Sequence, residues 1–265
     1  MAKELILHSE KERCSVLTEG LHLKALASVR ARSGPQAWEV SCLSLATDIG
    51  KQSTELLEGL CILAGEGGGQ RVFLRLPATS PLLGLAREAG FISCVHETLY
   101  RKEATLLPPY NTAKFIRPFT TKDEYQTFRL YNECVPARVK LEYALTFDEW
   151  RDALEPSGKS VQQGVYEDGG CVRGWVRVGS GRRSANRLEI MVHPQEETGV
   201  WQGLVSWGLH QGNPEAPFLA LIPDHQSSLA LILEKKGFVR VGQYHLLVKS
   251  TSVRVKESAL APVNA

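Results

Sequence analysis

Glu189 stands in the run RLEIMV (187–192), a carboxylate inside an otherwise apolar strand pattern. Burial raises a carboxyl pKa, and a carboxylate so poised can take a proton from an ammonium group through a water molecule. The competing reading places Glu189 on the solvent face, paired with Arg182, Arg183 or Arg187. Phosphate chemistry has its own candidates: Gly50, Lys51, Gln52, Ser53 and Thr54 open a helical pattern, and backbone N–H groups at a helix start attract anions. Ser53 or Thr54 would equally serve there as an ordinary N-cap. His193, a lone His before Pro194, reads as structural rather than catalytic. Asp224 and His225 can pair, although Asp224 and Ser227 read first as a helix start, and Glu167 and Asp168 read as turn residues. Six cysteines occur without a CxxC pair and no His/Cys/Asp/Glu set is clustered, so neither a metal site nor a disulfide framework is expected.

The elements that must carry these residues are written twice. Behind Glu189 come helical text "GVWQGLVSWGLHQGNP", an apolar run "APFLALIPDHQ", a second helix "SSLALILEKKGF" and a final strand. Earlier the chain runs "AWEVSCLSLAT", "STELLEGLCILAGEGGG", "QRVFLRLPATS" and "PLLGLAREAGF" in the same order. Aligned on Gly90-Phe91 and Gly237-Phe238, both copies place Leu nine residues later (Leu99, Leu246) and Lys twelve later (Lys102, Lys249). Each apolar run ends in Pro, which cannot continue a central ladder, and each Gly stands where a left-handed helix cap is wanted. The unit is β, α, β, α, β, which predicts parallel pairing across its helices.

The second copy carries more in front: strand "KFIRPFT", helical text from "TKDEYQTFRLYNE" to "FDEWRDALE", and a hairpin turning at Asp168-Gly169-Gly170. The first has only about forty residues before its strand, room for "KELILH", a short helix and the arm "LKALASVRARSGPQAW". The expected organisation is a trimmed unit over 1–104, a linker over 105–113 around Pro108-Pro109, a complete unit over 114–250 and a tail over 251–265.

Composition excludes several classes. Thirty-one basic against 29 acidic residues leave a net charge of +2 with no long basic run, so a nucleic-acid partner is not expected. No window approaches the ~18 apolar residues of a membrane span, and the N-terminus reads as neither signal nor transit peptide, so the expected compartment is the cytoplasm.

The opening strand ending Arg117-Pro118, the hairpin whose second arm begins near Gly174, the strand closing in Val192-His193-Pro194, and the repeated Gly-Phe after a helix together resemble the GNAT acyltransferase superfamily in tandem. The resemblance spans 114–249 in the second copy and about 38–102 in the first, and two-unit chains with a worn first half are similar to mycothiol-synthase-like acetyltransferases. It implies an α/β fold with mixed sheets, acetyl-CoA as co-substrate, and transfer of its acetyl group to an amine by direct attack. A backbone N–H near Met191 or Val192 would polarise the thioester. Pyrophosphate would sit where the second copy writes Thr198, Gly199, Val200 and Trp201, a loop without the family's glycines and with Glu196 and Glu197 beside it, or at the first copy's Gly50, Lys51, Gln52 and Ser53. Glu189 would be the base. The family's Tyr, four residues before the cap glycine, is replaced by Leu233 and Ala86, which leaves Tyr244 as a substitute acid. The acceptor would be a small-molecule or peptide amine, and the chain a monomer with an internal pseudo-dimer, or a homodimer. The other reading is a catalytically inert GNAT-like module that binds a ligand or protein partner.

Overall fold

A computed structural model describes residues 2–8, 12–19, 22–46, 50–104, 116–156, 160–181 and 184–251. Strands β1 (Ala2–His8), β2 (Glu12–Glu19), β3 (His22–Ala31) and β4 (Ala37–Leu45) form an antiparallel meander. Helix α1 (Gly50–Glu66) returns the chain to β5 (Arg71–Pro77), parallel to β4, and α2 (Leu82–Glu88) leads into β6 (Ile92–Lys102). The second unit opens with β7 (Ile116–Pro118) and three short helices, α3 (Glu124–Cys134), α4 (Ala137–Tyr143) and α5 (Phe147–Ala153). Then follow the hairpin β8 (Ser160–Asp168) and β9 (Cys171–Gly181), and β10 (Ser184–Val192). Helix α6 (Thr198–Gln211), β11 (Phe218–Pro223), α7 (Ser227–Lys235) and β12 (Val239–Ser250) complete it.

The local signals act where the sequence places them. Gly90 and Gly237 have φ of 84° and 85°, the left-handed region that ends α2 and α7 and launches the next strand. Gly169 and Gly170, at φ 56° and 76°, make the two-residue turn between β8 and β9. The short helix expected before the first hairpin arm is instead strand β2. Val16 and Thr18 suit a pleat, and β1 and β3 flank it on both sides with ladder partners, so tertiary pairing overrides the local pattern.

The expected parallel pairing across helices holds only for β4 with β5 and β10 with β11. The last strand of each unit leaves its own sheet. In a single twelve-stranded sheet, β12 lies between β5 and β6, and β6 lies between β12 and β11, all antiparallel. Leu247 of β12 faces Leu74 of β5 across the ladder, and Tyr100 of β6 faces Ala220 of β11. Both residues stand ten positions after their cap glycine. Leu247, fully buried, belongs to the core under α1 and α2, while Tyr100 belongs to the core under α6 and α7. Each unit is thus sealed by a large side chain from the other, and burying one such side chain is worth ~1.5–3 kcal/mol.

On the opposite face lie α3, α4 and α5. Phe128, Tyr131 and Trp150 pack over Trp175 and Met191 in the second unit's strands. Val139 of α4 and Ala153 of α5 reach further, onto Phe73, Val95 and Leu246 at the junction. The helical layer of the second unit therefore roofs the place where the two units exchange strands.

Candidate active site

Beneath that roof is a cavity of about 390 Å³. Tyr131, Tyr143, Trp150 and Trp175 form its aromatic side, and Glu189, Met191, Leu219 and Leu221 reach it from β10 and β11. The first unit supplies Arg75, Val95, Glu97 and Leu99, and β12 supplies Tyr244 and Leu246. Of the residues singled out in the sequence, Glu189, Met191 and Tyr244 thus meet at one cavity.

The cavity sits where two strands part. β10 and β11 pair only at Asn186–Phe218 and Arg187–Leu219. The fork is stapled by buried Asn186, whose Nδ2 donates to the carbonyls of Asn213 (2.8 Å) and Ala216 (3.1 Å) and whose Oδ1 accepts from Asn213 N (2.8 Å). Asn186 N donates to Pro217 O on the β11 side, and His193 N to Arg173 O on the β9 side. Amides alternate along a strand, so those of Ile190 and Val192 point toward the gap that β11 leaves, and that of Met191 points toward β9. The donors facing the gap are therefore Ile190, which lines the cavity, and Val192 just beyond it, while Met191 contributes its side chain. The Val192 carbonyl accepts a hydrogen bond from Cys134 Sγ at 3.3 Å.

Glu189 lies in a charged belt along the cavity floor. Its carboxylate meets one guanidinium nitrogen of Arg177, at 3.2 and 3.4 Å. Burial raises its pKa above the usual carboxylate range, against the pull of Arg177, and the neighbouring Glu155 adds to the rise. Of the three arginines considered as its partner, Arg187 pairs instead with Glu155 at 3.3 Å, and Arg182 and Arg183 lie outside the described residues. Glu155 is the hub of the belt, bonded also to Arg75, which in turn holds Glu97 at 2.6 Å. Burial pushes Glu155 up, but Arg75 and Arg32 outweigh it and hold the carboxyl down at about 2. The Tyr143 hydroxyl donates to Ala153 O at 3.0 Å, accepts from Arg32 at 3.2 Å, and is pushed up to about 12 by burial, so it stays neutral.

At the start of α6 the N-cap Glu197 makes no side-chain cap bond, and nothing stands within 4 Å of where a Cβ on Gly199 would lie. The amides of Thr198 and Gly199 thus open a helix with clear space beside them. Glu196 is turned away, its carboxylate on Arg173 at 2.8 Å and its carbonyl accepting from Trp201 Nε1 at 3.2 Å. Trp201 is buried, and Val200 packs against the same core. His193 Nδ1 lies 2.8 Å from Arg173 Nη2 and accepts from Gln195 N at 3.2 Å, which ties the imidazole into the turn. At the other candidate loop, Gly50, Lys51 and Gln52 form the first turn of α1, Ser53 is buried, and Thr54 Oγ1 is buried without a hydrogen bond.

No protein-family model matches the chain, and no curated protein matches it. Solved structures do. A tandem GNAT protein from the clavulanic acid biosynthesis pathway superposes with a TM-score of 0.53 at 11% identity, covering 91% of this chain and 83% of its own. The fold is that of a tandem GNAT protein. A GCN5-related N-acetyltransferase from Sphaerobacter thermophilus superposes with a TM-score of 0.57 at 16% identity, over 92% and 81% of the two chains. A functionally unknown conserved protein from Staphylococcus epidermidis ATCC 12228 gives 0.52 at 14%, over 85% and 91%. At such identities the likeness concerns the tandem GNAT backbone alone, and chemistry has to be argued from side chains.

Within this tandem GNAT fold, Leu233 and Ala86 are fully buried in the cores beneath their helices, so neither position faces the cavity. Asp224 and His225 lie 3.6 Å apart beyond β11, and burial lowers the His225 pKa. Glu167 is a strand residue bonded to Arg117 at 2.6 Å rather than a turn residue. Reading the sequence misses Arg177, Glu155, Arg75, Asn186 and Gln226, none of which carries a local signal. Their roles arise from contacts across 12 to 80 residues of chain.

Proposed function

We propose that this chain is an acetyl-CoA-dependent N-acetyltransferase whose second unit is catalytic. The reading rests on one juxtaposition: the half-buried carboxylate of Glu189, with Ile190 and Met191, lines the cavity along the stretch of β10 that β11 leaves unpaired, and the Val192 amide points into the same gap just beyond them. The start of α6 fits a pyrophosphate through Thr198 and Gly199, whose amides no side chain caps, with open space at Gly199 and Glu196 held off by Arg173; the Val200 amide is already bonded to Glu197 O. Acetyl-CoA supplies an activated acyl carbon. Val192 N–H would steady the negative charge that develops on the thioester oxygen. Glu189, with its raised pKa, would accept the ammonium proton, and the freed amine would attack as the C–S bond breaks. Tyr244, on the cavity wall, would protonate the departing thiolate. An acceptor confined under the aromatic roof would be a small molecule, and the strand exchange supports a chain that is its own pseudo-dimer.

A second reading, an inert GNAT-like binding module, draws support from the burial of Leu233 and Ala86 where the fold's relatives would carry an acid. A thermal-shift titration with acetyl-CoA combined with a free-thiol assay in the presence of amines separates the two. Saturation at a hundred times Kd should add ~2.7 kcal/mol of stability. Binding with amine-dependent thiol release supports the transferase, binding without release supports the module, and no shift at millimolar acetyl-CoA removes the transferase reading.

A further inference from the structure

Resting on the transferase reading, the wall chemistry of the cavity narrows the acceptor. We infer that the acceptor is a small primary amine carrying a single positive charge on an apolar, aryl or branched-alkyl body, with its ammonium held between Glu189 and Gln226.

Three carboxylates line the cavity, and two are already committed. Glu97 is held by Arg75, and Glu155 by Arg75 and Arg187. Glu189 meets only one nitrogen of one guanidinium, against two nitrogens for Glu97 and two arginines for Glu155, so of the three it has the most acceptor capacity left for an ammonium. A second cation on the acceptor would find no free carboxylate and would be repelled by Arg75 and Arg187, which also line the cavity. This argues against polyamines and aminoglycosides.

A further acceptor group points the same way. Gln226, 9% exposed, lines the cavity from the turn after β11, and its Oε1 is buried without a hydrogen-bond partner. A buried acceptor left unpaired is costly, and an ammonium brings three donors, enough for Glu189 and Gln226 together. Most of the remaining wall is hydrocarbon or aromatic: Val135, Val139, Trp150, Leu154, Trp175 and Leu219. A peptide backbone would leave its polar groups unpaired against such a surface. At about 390 Å³ the cavity also falls at the small end of the ~300–1,000 Å³ range of ligand pockets, which favours a compact acceptor.

The test is calorimetric titration of the full chain, without acyl donor, with 2-phenylethylamine, isoamylamine, spermidine and glycylglycinamide, alongside an acetyl-CoA thermal shift. The monoamines should bind at least about tenfold more tightly than spermidine or the dipeptide amide, and Gln226→Ala should weaken 2-phenylethylamine by about fivefold or more. Spermidine or the dipeptide binding as well as the monoamines, no monoamine binding at millimolar concentration, or indifference to Gln226→Ala would overturn the assignment. An absent acetyl-CoA shift would remove the transferase reading itself. Acetyl-CoA binding with spermidine preferred would remove only the acceptor class.

Discussion

The two units part their strands in the same way, yet among the described residues only one of the two openings is roofed. β4 and β5 pair over Ala37, Trp38 and Glu39 and then diverge, as β10 and β11 do after Arg187. In the first unit, β4 beyond the fork carries Ser41, Cys42 and Ser44, all exposed and none a carboxylate. In the second, α3, α4 and α5 cover the fork with Tyr131, Tyr143 and Trp150, and Glu189 sits beneath them with a raised pKa. The shared backbone provides a gap with unpaired amides; the helical roof encloses one gap together with a carboxylate whose pKa is raised, the arrangement on which the proposed base rests. Because α4 and α5 rest on Phe73, Val95 and Leu246, that roof also depends on the first unit.

The largest expected effect breaks the asymmetry directly. Glu189→Gln should lower kcat/KM for amine acetylation by ~10²–10⁴, whereas Ser41→Ala at the first opening should leave it within about twofold. Steady-state kinetics against pH sharpens the point. Wild-type kcat/KM should fall on acidification with a midpoint above the usual carboxylate range, and that limb should vanish in Glu189→Gln.

Leu247→Ala tests the exchange of strands. The residue belongs to the second unit but fills the first unit's core, so its truncation should cost ~2–5 kcal/mol in chemical denaturation. Unfolding should remain a single transition, since each core holds a residue of the other. Two separated transitions would break the claim that neither sheet is complete alone.

Acid should weaken the junction and the second unit together. Glu155 is held at about 2 chiefly by Arg75 and Arg32 against its burial, and Asp123, at the entry to α3, at about 2 chiefly by hydrogen bonds from Arg117. Both folded-state values lie below the unfolded ones, so their stabilisation is complete above about pH 4.5 and is lost as pH falls toward 2. The unfolding free energy from chemical denaturation should drop across that window by a few kcal/mol in total, and Glu155→Gln should flatten part of the fall. The smallest effects compare the repeated caps. Gly90→Ala and Gly237→Ala should each cost ~1–2 kcal/mol, because both need φ near 85°, while Gly199→Ala, with open space around it, should change stability by less than ~1 kcal/mol.

What was legible in the sequence was local. Cap glycines, strand-ending prolines at Pro77 and Pro223 and the Asp168-Gly169-Gly170 turn each have a short-range cause, and they place the repeated elements. Glu189 stood out because a carboxylate interrupts an apolar run. The destination of β6 and β12 was not legible, because a strand's own residues do not say which of two similar neighbours will pair with it. Nor is the partner of Glu189 legible, since Arg182, Arg183 and Arg187 all stand near it in the chain, whereas the contact is made by Arg177 on the adjacent strand. Glu155 looked like the end of a helix, and only the folding of α5 against both units makes it the centre of the belt.

Hydrogen exchange of the full chain with and without saturating acetyl-CoA tests most directly whether the roofed opening is the working one. Exchange should slow at Val192 and residues 198–201 and stay unchanged at residues 50–54. Protection at 50–54 with none at Val192 would place the acyl donor in the first unit and contradict the assignment of catalysis to the second.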